Sequence, residues 1–103
     1  MLPFEVRREL ELYTNLEPCM MCFGAAMASF AGSICYSLGA PDGAVEYAGK
    51  LVAENPYDKI STFYMPAVTG GIMADESRAL WRKYLEMFPD TPLRDYVQSL
   101  IEA

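Results

Sequence analysis

Two cysteines stand three residues apart directly after a proline, in the string Glu17-Pro18-Cys19-Met20-Met21-Cys22. Residues at i and i+3 share one face of a helix, so the two thiols can approach one ion from the same side. Pro18 suits the first position of a helix, because its missing N–H has no intrahelical partner there. The free N–H groups and the positive end of the helix dipole favour thiolate over thiol. Zinc binds thiolates, so this pair is a candidate metal site.

The spacing of the two cysteines alone leaves other interpretations open. A C-x-x-C at a helix N-terminus is also typical of a redox pair, and two free cysteines can simply be small buried residues. A closed structural zinc site needs four ligands, but the chain has no histidine and only one further cysteine, Cys35. Cys35 is a weak substitute ligand, because strand alternation places it opposite Ile34 and Tyr36.

The residues around the thiols resemble a known family. The pattern T-x-x-E-P-C-x-x-C over residues 14–22 is similar to the second signature of the zinc-dependent cytidine/deoxycytidylate deaminase superfamily, whose motifs are H-x-E and P-C-x-x-C. The similarity continues in the family's order through residues 23–27, 33–43 and 68–76. It implies a hydrolytic deaminase of a nucleoside or nucleobase that uses Zn²⁺, with Cys19 and Cys22 as two of its ligands.

The resemblance covers only the C-terminal part of a typical domain. In the family, the third ligand and the proton-carrying glutamate lie on an earlier helix, for which this sequence has no counterpart. We therefore expect residues 1–103 to form a single partial CMP/dCMP-type deaminase domain, with the H-x-E encoded upstream of Met1. No catalytic residue is identifiable in the chain, and we expect Glu17 to orient the backbone rather than carry protons. A shortened descendant kept as a binding or scaffold protein and a thiol-redox protein are the alternatives.

The composition fits one folded domain. A chain of 103 residues has room for one core, and its hydrophobic content of 52%, with seven tyrosines and five phenylalanines, can fill that core. No stretch approaches the length of a membrane span, and the N-terminus does not have the pattern of a signal peptide, so we expect no membrane partner. The proposed thiolate pair fits a reducing cytoplasm better than an oxidising compartment.

The charge pattern favours a small substrate. The net charge is −6, and the only basic cluster, Arg78, Arg82 and Lys83, shares its predicted helix with acidic residues. Proteins that hold nucleic acid usually present a basic surface to the phosphates, so a nucleoside or nucleobase is the better expectation. An uncovered sheet edge and apolar flank would promote pairing with a second copy, so we also expect a homo-oligomer.

The spacing of apolar residues alternates between strand-like and helix-like periods along the chain, and it predicts the elements that position the thiols. We expect strands over residues 9–14, 34–38 and 61–65, and helices over 18–30, 44–53 and 74–88, with a break at Asn55-Pro56. A last helix should follow Thr91 as N-cap and Pro92 as its first residue. Its apolar face comprises Leu93, Tyr96, Val97, Leu100 and Ile101.

This alternation of strands and helices predicts an α/β fold. The resemblance refines it to a three-layer α/β/α, cytidine-deaminase-like domain with a mostly parallel sheet that lacks the first strands and first helix. Open sheets of this kind place their sites at the carboxyl ends of the strands, where Cys19 is expected.

Overall fold

The computed structural model describes residues 4–54 and 63–102 and confirms a mixed α/β fold with a parallel sheet. Strands and helices follow one another along most of the chain, as the alternating periods predict. The elements are α1 (Phe4–Arg7), β1 (Glu11–Leu16), α2 (Met20–Ala28), β2 (Ser33–Leu38), α3 (Val45–Glu54), β3 (Ala67–Thr69), α4 (Ala74–Met87) and α5 (Arg94–Glu102).

The sheet has the order β1-β2-β3, and both pairings are parallel. Parallel neighbours need a crossover, and α2 supplies it between β1 and β2. The register sets Leu12 opposite Ile34 and Tyr13 opposite Cys35. Among the described strands, none pairs with the outer edge of β1, so its backbone N–H and C=O groups on that side are available to another strand.

The hydrophobic core lies between the sheet and helices α2 and α3. Ile34 is fully buried at its centre and packs in one cluster with Phe23 and Ala26 of α2 and Ala48 of α3. Because side chains alternate along a strand, Cys35 and Tyr13 face the other side of the sheet. That side meets α4, which contacts β2, and α5 packs in turn against α4.

One predicted strand is wrong. The sequence pattern places it at residues 61–65, but residues 63–66 are not a strand, and β3 occupies Ala67–Thr69 instead. Pro66 explains the shift, because it has no N–H to donate to a ladder. The Ala67 N–H donates to the Gly32 carbonyl oxygen at 3.0 Å, so pairing begins directly after the proline. Residues 61–62 and the predicted break at Asn55-Pro56 lie outside the described residues.

Two helix starts also differ from the prediction. Pro18 is not the first residue of α2; Cys19 is the N-cap, with extended backbone angles (φ −73°, ψ 175°), and the helix begins at Met20. The Pro18 carbonyl oxygen accepts a hydrogen bond from the Ala44 N–H, so it bonds the β2–α3 loop instead of a residue of α2.

Helix α5 likewise begins at Arg94 rather than at Pro92. The Thr91 hydroxyl accepts a bond from the Leu93 N–H at 3.3 Å and contacts the Tyr84 hydroxyl at 2.9 Å. Thr91 therefore closes the turn before the helix instead of capping it. The described helices include none with the length and apolar character needed to cross a bilayer.

The core arrangement predicts a large penalty for truncating Ile34. Ile34→Ala should lower the free energy of unfolding by about 2–5 kcal/mol, because the cavity left among α2 and α3 side chains cannot fully collapse. Ile72→Ala is the control, since Ile72 is 41% exposed and should change stability far less. Urea unfolding followed by circular dichroism measures both, and equal losses would contradict this core.

Candidate metal site

The thiol pair lies where β1 runs into α2, at the carboxyl end of the parallel strands. Cys19 is the N-cap of α2 and is half-buried, while Cys22 lies in the first turn and is exposed. The Cys22 thiol hydrogen-bonds the Cys19 sulfur, so the expected i and i+3 geometry brings the two thiols together. Both cysteines are free, as is Cys35.

The two thiols differ in acidity. The backbone N–H of Cys22, the Cys22 thiol and the backbone N–H of Met21 lower the pKa of Cys19. The hydrogen bond to Cys19 and the charge on its sulfur raise the pKa of Cys22. The Cys19 thiol is therefore the more acidic of the two, and the Cys22 thiol is the less acidic one.

Glu17 organises the loop that faces the thiols. One carboxylate oxygen accepts the Ala40 N–H at 3.2 Å and the other accepts the Val45 N–H at 3.1 Å. A β-carbon at Gly43 would collide with this carboxylate, so a larger residue there would push Glu17 away from its two backbone partners. The expectation that Glu17 orients the backbone is confirmed, because both of its oxygens are used by backbone groups of the β2–α3 loop.

The same loop is bonded directly to the thiol segment. Gly43 and Cys19 form an isolated antiparallel bridge, and the Ala44 N–H donates to the Pro18 carbonyl oxygen at 2.9 Å. The Glu17 N–H also donates to the Leu38 carbonyl oxygen at 2.8 Å. Cys19 is thus held on its backbone by neighbours that lie far away in sequence.

Two polar groups that the sequence did not single out lie close enough to the Cys19 thiol for their charges to influence one another. The Tyr96 hydroxyl of α5 donates to the Asp42 carboxylate at 3.0 Å. Burial, followed by this hydrogen bond and the charges of Asp42 and Cys19, raises the pKa of Tyr96. Asp42 was visible only as part of a turn and Tyr96 only as part of an amphipathic face. Their pairing across 54 residues has no local signal.

The ligand set for a metal is incomplete in the described part of the chain. No cluster of three His, Cys, Asp or Glu side chains that could hold an ion occurs within residues 4–54 and 63–102. Cys35 lies on the opposite face of the sheet from the α2 core, as expected, and does not join the pair. Cys19 and Cys22 can therefore supply one side of a tetrahedral ion, and the remaining ligands must come from elsewhere.

The flank of α2 beside the thiols is apolar and exposed. Met20 and Met21 are 63% and 79% exposed, and the helix carries no charged residue. A β-carbon added at Gly24 would meet nothing within 4 Å, so there is open space on this side. Helices that are apolar all round are normally buried, so this flank has the character of a contact surface.

A separate groove of about 560 Å³ lies between α4 and the other face of the sheet. Its walls include the aromatic rings of Tyr13, Tyr36, Trp81 and Tyr84, together with Cys35. Neither Cys19 nor Cys22 lines it.

Comparison of the chain with models of known protein families finds no match. The likeness of residues 14–22 to a deaminase signature thus rests on the sequence motif alone.

The Glu17 contacts predict a stability loss without any change in volume. Glu17→Gln replaces one acceptor by a donor that faces a backbone N–H, so we expect a loss of about 1–3 kcal/mol in unfolding free energy. Glu11→Gln is the matched control, because Glu11 is exposed and accepts only the Tyr13 hydroxyl. Urea titration compares the two, and similar losses would refute the orienting role of Glu17.

The thiol geometry predicts unequal reactivity. In a Cys35→Ser background, alkylation of Cys19 should show a lower pH midpoint than an ordinary thiol, and alkylation of Cys22 a higher one. Cys22→Ala removes one of the bonds that stabilise the Cys19 thiolate, so the Cys19 midpoint should rise. Iodoacetamide labelling followed by mass spectrometry measures both midpoints. Equal midpoints for the two cysteines would contradict their contact.

Proposed function

We propose that this chain is part of a zinc-dependent hydrolytic deaminase of a nucleoside or nucleobase, in which Cys19 and Cys22 are two zinc ligands. The contact between the two thiols at the start of α2 carries the proposal. It is supported by Glu17, whose carboxylate holds the facing loop, since the E-P-C-x-x-C pattern then has a structural reason at each named residue. The element order around a parallel sheet is compatible with a three-layer, cytidine-deaminase-like domain.

The donor set fits zinc. Thiolates are preferred zinc ligands, and Cys19 is already disposed to ionise at the helix start. Cys22 must release its proton on metal binding, so binding should become tighter as the pH rises through the titration of this thiol. Bound zinc would supply an activated water, whose pKa in such sites falls to about 7.

The third ligand and the proton carrier are proposed to come from an element outside the described residues. The uncharged, exposed flank of α2 beside Cys22 is the surface on which such an element would pack. The open edge of β1 offers a second place for addition, either to a longer polypeptide or to a second copy of the chain. A homo-oligomer is part of this proposal.

A small substrate is favoured over nucleic acid because the chain is acidic, with a net charge of −6, and two of its described cations pair with carboxylates. Arg78 pairs with Asp75 at 3.0 Å, and Lys50 pairs with Glu46 at 3.3 Å. These cations sit among acidic neighbours on α3 and α4, where they cannot present an extended positive field to phosphates. The two free thiols are compatible with a reducing cytoplasm.

Cobalt binding tests the proposed ligands. The chain should bind Co²⁺ with a near-ultraviolet thiolate-to-metal absorption band, and Zn²⁺ should displace it. Cys19→Ser and Cys22→Ser should each remove most of the band, because each deletes one thiolate ligand. Cys35→Ser is the matched control and should leave binding unchanged, since Cys35 lies on the other face of the sheet.

Activity provides the second test. The chain alone should release no measurable ammonia from cytidine, adenosine, guanosine or guanine, because it lacks the third ligand and a positioned proton carrier. Loss of the carrier alone costs about 10²–10⁴-fold. Robust zinc-dependent turnover by the 103-residue chain would contradict the assignment of the third ligand and the proton carrier to another element, and would make Glu17 the first residue to test as a proton carrier.

A thiol-redox function is the second candidate, favoured by the hydrogen bond between the two thiols. Titration in glutathione buffers separates the two functions. A redox protein should form a reversible Cys19–Cys22 disulfide within the range of cellular potentials, roughly −120 to −320 mV, and should bind no cobalt. A zinc-site protein should bind cobalt, and the bound metal should protect both thiols from oxidation.

A further inference from the structure

Helix α5 contacts the β2–α3 loop, which lies beside the thiol segment, through a polar side-chain pair. The Tyr96 hydroxyl donates to the Asp42 carboxylate at 3.0 Å, although the two residues are 54 positions apart. Val97 and Leu100 of the same helix are 1% and 0% exposed. These two buried residues fix the position of α5. The Tyr96 ring therefore has a defined position beside the β2–α3 loop.

The backbone that follows Asp42 contacts the segment that carries the thiols. It directly precedes Gly43, which forms the bridge with Cys19, and the following Ala44 N–H donates to the Pro18 carbonyl oxygen at 2.9 Å. A hydrogen bond that restrains the Asp42 side chain therefore also restrains the backbone of residues 42–44. The position of Cys19 depends on this backbone strip. Glu17 holds the same loop at Ala40 and Val45, on either side of this strip.

We propose that Tyr96 and Asp42 are positioning residues for the thiol pair: they fasten α5 to the β2–α3 loop and so keep Cys19 where both sulfurs can face one ion. This inference rests on the proposed function only in taking the ion to be bound by Cys19 and Cys22. Its consequence is reciprocal coupling. Docking of α5 strengthens metal binding, and metal binding by the thiols tightens the docking of α5.

Tyr96→Phe is the decisive variant, because it removes one hydroxyl and keeps the ring. Cobalt affinity should fall about three- to tenfold, the value of one partly solvated hydrogen bond. Tyr13→Phe is the matched control, since it also deletes a hydroxyl that donates to a carboxylate, at 2.6 Å from Glu11, but on the other face of the sheet. The cobalt affinity of the Tyr13→Phe variant should equal that of the unmodified chain.

Asp42 variants separate positioning from general stability. Asp42→Asn keeps an oxygen that can accept the Tyr96 hydroxyl and should retain most of the affinity, whereas Asp42→Ala should match Tyr96→Phe. The double variant Tyr96→Phe/Asp42→Ala should be no weaker than either single variant, because both delete the same contact. Additive losses would overturn the proposal. All affinities are measured at a temperature where circular dichroism shows each variant folded.

A metal-free readout keeps this inference distinct from the proposed function. In the apo chain, hydrogen exchange of the Ala44 amide should be about three- to tenfold faster in Tyr96→Phe than in Tyr13→Phe, because the bond from this amide to Pro18 loses its restraint. Unchanged Ala44 exchange overturns the positioning role, whether or not cobalt binds. Absence of cobalt binding by the unmodified chain overturns the proposed metal site. In that case the exchange rate of the Ala44 amide still decides whether Tyr96 has a positioning role.

Discussion

The carboxylate of Glu17 is the contact on which the thiol site depends. Its two oxygens accept the N–H groups of Ala40 and Val45, and such charge-assisted bonds are stronger than neutral ones. Val45 is the first residue of α3, where a negative charge also complements the helix dipole. These bonds hold the β2–α3 loop against the end of β1 and bring Gly43 beside Cys19. The residue two positions before the first thiol therefore links the sheet, α3 and the site.

The local parts of this arrangement could be predicted from the sequence, and the long-range parts could not. Alternation located β1 and β2, and the i and i+3 rule brought Cys19 and Cys22 together, because both patterns are set by residues close in the chain. The third strand was misplaced because its residue types suit a strand while Pro66 delays pairing with β2. No local pattern could indicate that Tyr96 meets Asp42, since tertiary packing of α5 decides it.

The exposed apolar flank of α2 differs from the single exposed apolar residues found on most protein surfaces. Single exposed apolar residues are common, but α2 has no charged residue at all, and Met20, Met21 and Cys22 lie together at its start. Phe23 and Ala26 already bury the opposite side in the core. A helix with apolar residues on both sides suits the interior of a larger assembly. Because the thiols lie on this flank, the proposed metal would lie where α2 meets a second element.

The exposure of each thiol helps to distinguish metal binding from redox exchange. Both functions use two adjacent sulfurs at a helix start, and both benefit from a stabilised thiolate. Redox exchange also needs its nucleophile to be accessible to a partner disulfide. Here Cys19 has the lowered pKa but is half-buried, whereas Cys22 is exposed but has the raised pKa. The better nucleophile is thus the less accessible one. An ion held by both sulfurs has no such conflict, which favours the proposed metal site over redox exchange.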